Sequence, residues 1–186
     1  MGARGMLRNL TRLFRRKASA FKGAQRGATA VEFALIAPAF IAMLVAIFQT
    51  TVFLFAQANL QAAASQAGRL FMTGQAQNGN MTSAGFQQAV CPMVQALFTC
   101  SSLVIVVQSA SSASGINTST PQMYGAQGQL SKGSFDPGNP GDLMVVQIGY
   151  PLPVVTGPLG FMLGGNANGT ASVWGVAAFR VEPYAS

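Results

Sequence analysis

From Phe33 to Phe55 the chain runs for 23 residues without a charge, and only Gln49, Thr50 and Thr51 are plainly polar. As a helix this run would extend about 34 Å, enough to cross a hydrocarbon core of about 30 Å. Pro38 lies inside it, and membrane helices tolerate proline because neighbouring groups re-satisfy the freed backbone. A single carboxylate, Glu32, stands directly before the run and five residues after Gly27. An isolated acid at the margin of lipid is costly, so its position needs a physical reason.

Charge is sparse and uneven. Only 8% of the 186 residues are charged and 50% are apolar, against about 25% charged in soluble domains. Arg4, Arg8, Arg12, Arg15, Arg16, Lys17, Lys22 and Arg26 all precede Gly27. Beyond it, Arg69, Lys132 and Arg180 face Glu32, Asp136, Asp142 and Glu182, so the body is nearly neutral. A basic tail alone could serve nucleic acid. Here it abuts an apolar span, so the bilayer is the expected partner and nucleic acid is not. Positive residues before the span place the N-terminus in the cytoplasm and the remainder across the membrane. Ala56-Gln57-Ala58 fits a signal-peptidase site, which would release a soluble chain beginning at Asn59. The apolar run is too long for a typical cleaved signal, whose apolar region holds about 7–15 residues.

The helical pattern continues past the span. Leu60, Ala63 or Ala64, Ala67 and Leu70 or Phe71 recur at three-to-four-residue spacing, with Gln57, Gln61, Ser65 and Arg69 on the other side. One helix from about Ala28 to Met72 is predicted, ended by Thr73-Gly74 and the polar QAQNGN. GFQQAVCPMVQALFTC reads as a short helix or helical turn. Leu103–Gln108, Asp142–Tyr150 and Ser172–Val181 read as strands. Ser109–Gly141 reads as a long irregular loop with turns at FDPGNPG, and PLPVVTGPLGFMLGG as an apolar loop. The expected fold is α+β, a long N-terminal helix packed on a small, mostly antiparallel sheet. That sheet is too small for a core of its own, so the helix must supply one wall.

The usual catalytic and metal-binding residues are missing. The chain has no histidine, four acids and two cysteines. Two cysteines cannot complete a four-ligand zinc site without histidine, and no glycine-rich turn follows a strand and opens a helix as phosphate binding requires. No enzyme activity, cofactor or metal is expected. Cys91 and Cys100 fall on the non-cytoplasmic side, where disulfides persist. Bridging them would restrict the unfolded chain by roughly 2.7 kcal/mol. Two buried thiols are the alternative.

Two readings of Glu32 remain. In the first it sits in the opening turn of the helix, where the N-terminal dipole favours a carboxylate. In the second the chain is cut after Gly27, so that Ala28 becomes residue one, the basic leader departs, and the new amine lies one helical turn from the carboxylate. Gly27 followed by Ala28-Thr29-Ala30-Val31 and then Glu32-Phe33 resembles the processing site of type IV prepilins. RGATAVEFALIAPAF, Pro38 included, is similar to the N-terminal helix of the TadE-like pseudopilins of Tad (Flp) pili. GDLMVVQIGYPLP and VAAFRVEPY resemble the sheet region and Glu-Pro-Tyr ending of that family.

The resemblance implies a pilin-like fold and a minor pseudopilin that helps assemble a Tad-type pilus. It implies recognition of Gly27, Ala28, Glu32 and Phe33 by a prepilin peptidase, an intramembrane aspartic protease. Glu32 would then set register against the terminal ammonium of a neighbouring pilin or pseudopilin subunit, with the Tad membrane machinery as further partner. The implied organisation is a basic cytoplasmic leader over 1–27, a transmembrane helix over 28–56, and a periplasmic amphipathic helix with a small α+β domain over 57–186. The implied location is a bacterial inner membrane, crossed once. The rival is an uncleaved, membrane-anchored periplasmic binding or scaffold protein.

Overall fold

The computed structural model describes residues 25–154 and 169–183. The basic leader as far as Ala24, the apolar segment after Val154 and Tyr184 of the Glu-Pro-Tyr ending lie outside these residues. By compactness the chain divides after Val45. The described part of the first unit is helix only, the opening stretch of α1, Gln25–Met72. Its large apolar side chains, including Phe33, Leu35, Ile36 and Phe40, are exposed.

The second unit begins at Ala46. Phe53 and Ala56 touch the core of the globular part. Along α1 the buried apolar side chains are Ala56, Leu60, Ala63, Ala64, Ala67 and Phe71, the predicted stripe from Leu60 onward with Ala56 added one turn earlier. Gln57, Gln61, Ser65 and Arg69 are exposed, as predicted. The helix stops at Met72 because Gly74 adopts a left-handed φ of 71°, a conformation that costs glycine little. QAQNGN is not wholly irregular: Gln75–Asn78 forms one turn, α2.

Helix α3, Ser83–Val94, starts on Thr82, whose side chain accepts a hydrogen bond from the Gly85 N–H at 3.2 Å. It buries Phe86, Val90 and Val94. The sheet follows, with β1 at Val104–Ala110, β2 at Ser134–Phe135, β3 at Leu143–Pro153 and β4 at Thr170–Arg180. Spatial order is β2-β1-β3-β4; β3 is antiparallel to both neighbours, and β2 is parallel to β1. This is the expected α+β architecture with a mostly antiparallel sheet. Ile105, Val107, Met144, Val146, Ile148 and Val173 line the face that meets α1 and α3.

Three expectations require correction. β1 runs on through Ala110, and β2 lies inside the segment read as a loop. A two-residue parallel edge has no periodicity to detect, because only Val106↔Ser134 and Val107↔Phe135 pair. β3 continues through Pro151 and Pro153, which were read as loop. Pairing with β1 ends at Gly149, so β3 is an edge on that side from Tyr150 onward. Val176 turns its backbone groups away from β3, toward Gln61. By the antiparallel alternation, the nitrogens of Pro151 and Pro153 therefore face the vacant β1 side, where no donor is needed.

Phe71 is fully buried, with ring centroids 5.0 Å from Phe86, 6.1 Å from Phe135 and 6.5 Å from Phe179. It joins α1, α3, β2 and β4 in one cluster. We predict that Phe71→Ala lowers unfolding free energy by about 3–5 kcal/mol, read from the urea midpoint in detergent. A loss below about 1 kcal/mol would show that the site collapses without it.

Candidate functional site

Gly27, Ala28, Glu32 and Phe33 all lie in α1. Ala28 and Glu32, four residues apart, share one helix face. A Cβ built on Gly27 meets nothing within 4 Å, so the backbone there is open to close approach. Ala28 and Glu32 are exposed, and Phe33 is 72% exposed. Among the described residues no ion pair or hydrogen bond of Glu32 is seen, and of its neighbours three and four residues away Ala28, Leu35 and Ile36 are apolar and Thr29 is polar. The helix places it differently from the first of the two readings. α1 already includes Gln25, its first turn holds no acid, and Glu32 lies about two turns along. The dipole's influence fades within the first turn. It does not account for a carboxylate at this position in the uncleaved chain.

The predicted Cys91–Cys100 disulfide is formed, with Cα atoms 5.5 Å apart. It ties α3 to the 3-10 turn Cys100–Ser102 that leads into β1. Gln87 reinforces the join by donating from Nε2 to the Cys100 carbonyl at 2.9 Å. Just before the turn, Phe98 packs on Tyr150 of β3 with ring centroids 4.8 Å apart.

Two features escape sequence reasoning. Gln61 uses its whole amide on one residue of the outer strand. Its Nε2 donates to the Val176 carbonyl at 2.6 Å, and its Oε1 accepts from the Val176 N–H at 3.0 Å. The side chain thus mimics one peptide of a neighbouring strand. Nothing in a helical heptad marks a surface glutamine for that task. The second feature is on the sheet face turned away from α1, where Val104, Val106 and Met123 form a small core with Tyr124, Leu130 and Trp174. Beside it are two shallow cavities of about 470 and 560 Å³ that share Thr120, Pro121 and Gln122. Among the described residues their lining carries no charged side chain. Among the described residues no group of three or more His, Cys, Asp or Glu side chains could hold a metal.

Residues 27–69 match the protein family described as TadE-like protein. The match begins at Gly27, takes in Glu32 and Phe33, and ends at Arg69 on the packed part of α1. It bears out the resemblance read from RGATAVEFALIAPAF and covers less than a quarter of the chain. No curated protein and no solved structure matches the chain significantly. Within the matched segment, α1 is long and apolar enough to cross a membrane, and its most apolar window buries none of its residues.

The disulfide closes a short loop, and its effect on stability follows from chain entropy. Cys91→Ser with Cys100→Ser should cost roughly 2.7 kcal/mol, and the oxidised protein treated with reductant should lose a similar amount. Equal urea midpoints with and without reductant would refute this.

Proposed function

We propose that this protein is a minor pseudopilin of a Tad-type (Flp) pilus, a single-pass inner-membrane protein that a prepilin peptidase processes after Gly27. The observation that carries the reading is Glu32: a lone exposed carboxylate on an apolar helix, beyond the reach of the helix end, inside the TadE-like segment and five residues after an open glycine. Removal of residues 1–27 takes all eight leader bases with it and leaves Ala28 as the terminal amine. The ammonium and Glu32 would then share a helix face one turn apart.

In an assembly of parallel helices, the carboxylate of one subunit meets the ammonium of the next. A charge pair in lipid is far less costly than either charge alone, and removing one partner leaves the other stranded. The pair therefore fixes the axial register of packed helices whose other side chains slide freely. Gly27 serves the protease because a residue without a side chain lets the enzyme approach the backbone. The globular part beyond the span lies in the periplasm, where the Cys91–Cys100 bridge is stable. Partners are other pilin or pseudopilin subunits and the Tad membrane machinery.

The N-terminus and intact mass of the protein recovered from its native membrane without reductant test this directly. The expected chain starts at Ala28 and weighs two hydrogens less than its reduced form. Gly27→Val should leave the full-length chain, and normal maturation of that variant would remove the prepilin reading. Glu32→Ala should be cleaved largely as wild type yet fail in pilus assembly. Normal piliation by Glu32→Ala would return Glu32 to a passive role.

A further inference from the structure

Between α1 and the end of β3 there is a cavity of about 210 Å³, lined by Phe48, Val52 and Phe53 of the helix and by Leu152, Pro153 and Val154. Among the described residues Gln49 is the one polar side chain in its wall. No Lys, Arg, Asp or Glu occurs anywhere from Leu143 to Phe179. Its described wall offers an ordered water few of the 2–4 polar partners it needs. A helix from another subunit, about 10–12 Å across with its side chains, is too thick to enter.

The depth of the cavity follows from helix arithmetic. Glu32 is charged and marks the inner margin of the hydrocarbon. About 20 helical residues cross the remaining 30 Å, so the hydrocarbon runs from Phe33 to about Val52. Phe48 and Val52, which are 68% and 55% exposed, therefore lie at its far margin. Leu152, Pro153 and Val154 meet the helix at that level rather than above the membrane.

We propose that this cavity is an acyl-chain site, filled by a fatty-acyl chain of a bilayer phospholipid in the periplasmic leaflet. The inference rests on the spanning role of α1 in the proposed function, and on neither leader removal nor pilus assembly. The bound chain continues the lipid-facing surface of α1 between the helix and the strand end. It seats the end of β3 in the outer leaflet.

The test uses the full chain in phosphatidylcholine vesicles that contain a phospholipid with a photoreactive diazirine on the acyl chain. After irradiation, adducts are mapped to residues by mass spectrometry. The expected pattern is labelling along Phe33–Val52 and also at Leu152–Val154. Val52→Trp, which fills the cavity from a lipid-facing position, should reduce the labelling at Leu152–Val154 severalfold and leave the helix labelled. Helix adducts without any at Leu152–Val154, or strand adducts unchanged by Val52→Trp, overturn the acyl site and leave the spanning role standing. Absence of adducts on the helix overturns the spanning role and the inference together.

Discussion

The globular part depends on the seam where α1 crosses β4. At Gly175 a Cβ would clash with the Leu60 carbonyl and the Gln61 nitrogen, so the two backbones meet there without a side chain between them. Gln61 then holds the outward peptide groups of Val176, and Gly68 lies beneath the ring of Phe179. A sheet of four strands, one of them two residues long, could not bury enough surface by itself. The alanine stripe of α1 works because small side chains let the helix settle close enough for Leu60 and Phe71 to reach the sheet and α3.

One helix thus carries two kinds of surface. As far as Leu44 its large side chains, from Val31 and Phe33 onward, are exposed, and Phe53 is the first aromatic to pack against the core. From Ala56 the pattern changes to alanine on the buried face and glutamine, serine and arginine on the other. No break in the backbone is needed, because the change is one of side-chain size and polarity. The disulfide and the phenylalanine cluster around Phe71 fasten the rest of the domain to the second half.

The long helix, its buried stripe, the three principal strands and the disulfide were all legible in the sequence. Each has a period, a composition or a residue pair that acts locally. β2 was not legible, since two residues paired at an edge leave no pattern. The extension of β3 through two prolines was hidden for a different reason. Proline argues against a strand only where its nitrogen faces a neighbour, and that orientation depends on where β1 ends. The same is true of Gln61, whose role exists only because β4 passes beside it. At Glu32 the sequence raised the question, and what the helix adds is that its described first turn, from Gln25, holds no acid.

The two prolines of β3 also bear on crowding. Where β1 falls away after Gly149, no described strand pairs with β3 on that side, and an open strand edge is the kind of surface on which strands from separate molecules join. Pro151 and Pro153 present no N–H along that edge, so an incoming strand would lose alternate hydrogen bonds. On the far side, Gln61 already occupies the middle of β4. The two prolines and Gln61 thus disfavour joining of this sheet to a strand of another molecule at either of these places.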